Sequence, residues 1–149
     1  AHPVNPPHVV PIVEISPAPF TAQDVVDRAT ALHDRVGQVP ILVRKEVEGF
    51  ILNRLQAALL IESWRLVDEG YVSVEDLDKT IRDGLGLRWA FMGPFETIDL
   101  NAPGGVADYA QRYGPHLYRM MQGVASRPWE GELVKRVEQE RRELLDQDD

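Results

Sequence analysis

His2 and Glu14 are the residues of this sequence best suited to moving a proton together. An imidazole takes up a proton near neutral pH. A carboxylate on its other nitrogen fixes the tautomer and stabilises the imidazolium that forms. Glu14 sits between Val13 and Ile15 in an apolar run, where an unpaired carboxylate is costly to bury. A buried carboxylate there needs a partner, and His2 is within reach across a turn and along a strand. The competing reading is that Glu14 points to solvent from the polar face of that strand. Spacing leaves both open.

Asn53 is the second polar residue out of place. It lies beside Phe50, Ile51, Leu52 and Leu55 on an otherwise apolar stretch, and a buried amide needs hydrogen-bond partners. It is either a structural asparagine bonded to neighbouring backbone or a group kept for a site. His8, His33 and His116 have no second ligand at useful spacing, so no metal site is expected. Met92, Met120 and Met121 read as core filler. The chain has no cysteine. That removes disulfides, thiolate metal sites and cysteine nucleophiles together, and fits a cytoplasmic protein.

The elements that must position these residues can be read in order. His2 to Pro7 reads HPVNPP, and three prolines in that stretch forbid helix. Val9 to Ile15 is rich in β-branched residues and reads as a strand. Pro11 within it argues for an edge strand or a bulge. Thr21 reads as an N-cap with Asp24 in the capping-box position, opening an amphipathic helix over 22–36 that Gly37 stops. Residues 39–43 form a second strand. This strand–helix–strand unit cannot cover its own sheet. It reads as the last piece of a larger sheet.

From residue 46 the pattern turns helical. A long helix over 46–69 is apolar on nearly every side, which predicts burial all round, in a core or a subunit interface. Ser73, with Asp76 in the box position, caps a helix over 74–83, and Gly84 and Gly86 break the chain. A helix over 88–101 carries Pro94 at a kink or at the start of its main body. Pro103, Gly104 and Gly105 form a loop, and helical segments follow at 105–113 and 115–122, the second opened by Pro115. A charged helix over 129–145 ends the pattern, and the acidic end at Asp146, Asp148 and Asp149 reads as frayed. The predicted fold is therefore mainly α, with an all-helical domain over 46–149.

Composition narrows the function classes. At 149 residues the chain can hold a real core. Its formal charge is −8, without a basic stripe, which argues against nucleic acid as a partner. The longest apolar stretch, Ala57 to Ile61, is too short to span a membrane, and no signal peptide is visible. The chain opens on Ala1 and enters a dense motif at once, which reads as a piece of something longer.

These motifs resemble the 3-hydroxyacyl-CoA dehydrogenase family. HPVNPP followed by VPIVEI is similar to the family's H-x-x-N-P stretch and the glutamate strand after it. Gly49-Phe50-Ile51-Leu52-Asn53-Arg54 resembles its G-F-x-x-N-R segment, and Met92-Gly93-Pro94-Phe95-Glu96 its M-G-P-F-E segment. The matches run in the family's order over about the first hundred residues. The longer phrases NRLQ, DGLGLRWAFMGPFETIDLNAPGG and YAQRYG resemble the lambda-crystallin, or L-gulonate 3-dehydrogenase, branch.

The resemblance implies an NAD-dependent oxidation of a 3-hydroxyl, in a 3-hydroxyacyl-CoA or a 3-hydroxy acid. His2 would be the general base, Glu14 would hold its far nitrogen, and Asn53 would hydrogen-bond the substrate or the histidine. Arg88, near the M-G-P-F-E segment, is a further candidate for a substrate carboxylate, against the commoner reading of a surface arginine. The family's serine from the dinucleotide domain and its G-x-G-x-x-G loop have no counterpart here. Gly84-Leu85-Gly86 follows a helix and lacks the third glycine. NAD would thus be held mainly by sequence outside this chain, and this chain alone should bind it poorly. The resemblance further implies that residues 1–45 are the C-terminal remnant of a Rossmann-like dinucleotide-binding sheet and that the helical domains pair into homodimers. A non-catalytic oligomerisation or structural module drawn from the same family is the alternative.

Overall fold

A computed structural model describes residues 1–124 and 128–147. The fold is mainly α with one small sheet. By internal contact the chain forms two compact units, 1–59 and 60–149, and the division falls within a helix.

The first unit holds the sheet. Strand β1 is His2–Pro3, β2 is Ile12–Ile15 and β3 is Val39–Leu42, in the order β1-β2-β3. β1 pairs antiparallel with β2, placing His2 opposite Glu14 and Pro3 opposite Val13. β2 pairs parallel with β3, joined through helix α1, Gln23–Arg35. Successive side chains on a strand face opposite ways. Val13 and Ile15 therefore share one face of β2 and pack with Val26 of α1 as the buried cluster. Glu14 is left on the other face, fully buried.

Two expectations change here. β2 is the central strand, not an edge, and it begins after Pro11. A proline just outside a strand loses no ladder bond, and the Pro11 carbonyl accepts from the Val39 N–H at 2.9 Å. The cap of α1 also differs. Ala22 is the N-cap, and the Thr21 hydroxyl accepts instead from the Ala18 N–H in the preceding turn.

Helix α2 runs Leu52–Asp68, starting six residues later than its apolar pattern suggests. Gly49 and Phe50 both have positive φ, 78° and 49°, which a right-handed helix cannot contain. Nor is α2 buried all round within a single copy. Only Ser63 and Val67 are buried along it, and Leu55 is 67% exposed.

The second unit is helical. Ser73 caps α3, Val74–Lys79, by accepting from the Asp76 N–H at 3.1 Å. Gly84 and Gly86 do not break the chain. They lie in a π-helical segment, Thr80–Gly86, that leads into α4, Leu87–Trp89. The wider turn is compatible with Gly86, whose position has no room for a Cβ beside the Ile81 carbonyl oxygen. α5, Pro94–Leu100, is a separate helix with Pro94 in its first turn, and Glu96 accepts from the Gly93 N–H at 2.7 Å. α6, Gly105–Met121, starts where the first segment was expected and passes through Pro115, so the two expected segments are one helix. Gly114, having no Cβ, removes much of the clash a proline makes with the residue before it. α7, Gly131–Gln147, is held by Arg136, which donates to the Val67 carbonyl at 3.0 Å, and by Glu140, which accepts from the Val74 N–H at 3.0 Å. Trp64 and Trp129 stack with centroids 5.1 Å apart. Asp146, expected to fray, lies within α7, whereas Asp148 and Asp149 lie outside the described residues.

Candidate active site

The cross-strand pair of β1 and β2 brings His2 and Glu14 together. Residues directly opposite on antiparallel strands present their side chains on one face. His2 Nδ1 lies 2.9 Å from Glu14 Oε2. The other carboxylate oxygen, Oε1, accepts from the backbone N–H groups of Ile51 at 2.8 Å and Leu52 at 3.0 Å. These amides open α2, where the first N–H groups of a helix lack internal partners and carry its positive dipole end. One carboxylate thus anchors the histidine and the start of a helix.

The electrostatics follow. Burial pushes the Glu14 carboxyl up, but the His2 hydrogen bond, the Leu52 and Ile51 amides and the His2 charge together hold it below its ordinary 4.5. Glu14 is therefore ionised at neutral pH and accepts only. His2 Nδ1 must then carry the proton, leaving Nε2 with a lone pair. Among the described residues Nε2 has no hydrogen-bond partner, and the His2 side chain is 34% exposed. A cleft of about 270 Å³ opens beside it, lined by His2, Glu14, Ser16, Glu46 and Phe50 among others.

Phe50 is the residue that sequence reasoning passed over. Its ring stacks on the His2 imidazole with centroids 4.8 Å apart and planes 25° from parallel. The turn that carries it closes with the Phe50 N–H on the Val47 carbonyl at 2.9 Å. Gly49 suits its positive φ, but Phe50 does not, and a left-handed non-glycine residue costs about 1–3 kcal/mol. Its place in the G-F-x-x-N-R segment was the available signal.

Asn53 is exposed on the first turn of α2, not buried, and makes no side-chain hydrogen bond among the described residues. Arg88 is exposed on α4 in the second unit. Among the described residues no group of three or more His, Cys, Asp or Glu is placed to hold a metal ion. No helix among them is long and apolar enough to cross a membrane.

Known families match both parts of the chain. The model of the 3-hydroxyacyl-CoA dehydrogenase C-terminal domain matches residues 49–140, and that of the family's NAD binding domain matches residues 1–47. The chain belongs to the 3-hydroxyacyl-CoA dehydrogenase family. Within it, similarity to lambda-crystallin of Oryctolagus cuniculus is 49% identity over 140 residues, covering 93% of this chain and 44% of that protein. The L-carnitine dehydrogenase of Burkholderia mallei (strain ATCC 23344) is 44% identical, covering 78% of this chain and 36% of its own length. A solved 3-hydroxyacyl-CoA dehydrogenase from Archaeoglobus fulgidus superposes with a TM-score of 0.67 at 28% identity, over 93% of this chain and 46% of that one. The chain spans less than half the length of the curated relatives it matches.

The family implies NAD, and the residues present can be tested for it. A dinucleotide pyrophosphate sits on a glycine-rich loop between a strand and the N-terminus of a helix. The loop from β2 to α1 reads SPAPFTA, with two prolines and no glycine. These residues do not fit the pyrophosphate.

Proposed function

We propose that this chain supplies the proton-accepting histidine and the helical part of an NAD-dependent dehydrogenase. Its substrate would be a 3-hydroxyacyl-CoA or a free 3-hydroxy acid such as L-gulonate, oxidised to the 3-keto product. The carrying observation is the His2–Glu14 hydrogen bond, which leaves Nε2 as the unengaged nitrogen beside the cleft.

In this reading the substrate 3-hydroxyl donates to His2 Nε2. The proton passes to Nε2 as the C3–H bond breaks, and the oxygen becomes a carbonyl. The chemistry that a bound NAD would supply is that of the hydride acceptor. Glu14 stays ionised on its two backbone amides, so it meets the new imidazolium as a carboxylate and holds its orientation. Glu14 is thus a positioning residue, while Asn53 would hydrogen-bond the substrate. Arg88 is a weaker candidate for a substrate carboxylate. Cofactor binding falls mainly to residues beyond this chain. We also assign the enzyme to the cytoplasm and its helical part to homodimer formation.

The test is His2→Gln in the full-length enzyme, assayed with NAD and 3-hydroxy substrates of both classes. Loss of an acid–base group typically costs about 10²- to 10⁴-fold in turnover. Turnover equal to wild type would remove His2 from the mechanism.

A further inference from the structure

We propose that Phe50 positions the His2 imidazole, setting its tilt while Glu14 sets its rotation. This rests on the reading of His2 as the base. A single hydrogen bond from Nδ1 to Glu14 Oε2 fixes which nitrogen faces the carboxylate. It leaves the ring free to rock about the N–O line. The Phe50 ring covers one face of the imidazole at 4.8 Å and near-parallel planes, which removes that motion.

The backbone argues that the ring is there for what it touches. Phe50 holds φ at 49°, a conformation that glycine or asparagine adopts with less strain. If the turn needed only its backbone, either would serve better. The turn also aims the next two N–H groups, of Ile51 and Leu52, at Glu14. One short segment therefore supplies the stacking face for the histidine and the donors for its carboxylate. Phe50 lines the same cleft as His2, and the Nε2 edge has no hydrogen-bond partner among the described residues.

The experiment uses the full-length protein labelled with ¹⁵N-histidine and three variants. Phe50→Leu keeps apolar bulk without a flat face, Phe50→Tyr keeps the face, and Phe50→Gly relieves the backbone. In Phe50→Leu the imidazole tilts off Glu14, and the Nδ1–H tautomer gives way in part to the Nε2–H form favoured by free histidine. We expect kcat to fall about ten-fold with KM held within two-fold, since small misplacements of a reacting group cost rate. Phe50→Tyr restores both the tautomer and kcat. Phe50→Gly unfolds no earlier than Phe50→Leu yet loses kcat to the same degree, which separates positioning from fold stability.

A Phe50→Leu protein with wild-type His2 ¹⁵N shifts overturns the proposal. So does a Phe50→Gly protein that retains kcat. If instead His2→Gln retains turnover, the base reading fails, and the ¹⁵N spectra alone decide whether Phe50 orients the ring.

Discussion

Glutamine at position 14 would keep the shape of the side chain but not its chemistry. Both groups that reach Glu14 are donors: two backbone amides on Oε1 and the imidazole Nδ1–H on Oε2. A glutamine amide offers one acceptor oxygen and one donor NH₂. If its oxygen keeps the amides, its NH₂ forces Nδ1 to accept, and the proton moves to Nε2, the position the base needs free. Glu14→Gln should therefore lose most of its turnover and about 1–3 kcal/mol of stability. The pH dependence has a definite sign. A carboxyl held below its ordinary 4.5 contributes stability that is full above that value and lost as pH falls through its folded value. Urea unfolding of wild type and Glu14→Gln should show their largest gap above pH 4.5 and a closing gap below it. The pairing was legible as a candidate, because a carboxylate inside an apolar strand asks for a partner. The Phe50 stack was not, because nothing in a residue type announces its φ. The exposure of Asn53 was hidden for the same reason: the left-handed turn before it resets the start of α2.

Elements were legible where apolar periodicity was clean, as in α1, and less so where glycine and proline dominate. Gly84 and Gly86 read as breakers by type, yet both lie inside the π-helical segment. They should respond in opposite ways to alanine. A Cβ at Gly86 would lie 2.7 Å from the Ile81 carbonyl oxygen, whereas one at Gly84 meets nothing within 4 Å. Gly84→Ala is expected to stabilise by about 0.4–1 kcal/mol through the unfolded chain. Gly86→Ala is expected to destabilise, since backbone must shift to admit it. Thermal unfolding of the two variants checks this. Equal shifts of the same sign would argue against a π turn here. Pro115 was read as a boundary because helix interiors disfavour proline, yet α6 continues through it, with Gly114 easing the clash with the preceding residue.

At the scale of the molecule, apolar periodicity in α2 was legible, but what covers it was not. Leu55 on α2 is 67% exposed. The proposed homodimer would cover it. Leu55→Glu in the full-length protein is expected to weaken self-association by more than ten-fold, since a charge in an apolar contact costs more than one power of ten. Sedimentation velocity across a dilution series measures it. A dimer of wild-type strength would take α2 out of the interface.

The antiparallel register of β1 and β2 has a consequence for how such sites diverge. His2 and Glu14 meet because they are cross-strand partners, not because a fixed number of residues separates them. Residues inserted into or deleted from the connecting stretch between Val4 and Pro11 can be absorbed there while the pairing survives. One residue gained or lost within either strand would turn the histidine or the glutamate to the opposite face. A relative with a longer or shorter connection can therefore keep the dyad intact and still escape any search that counts the interval.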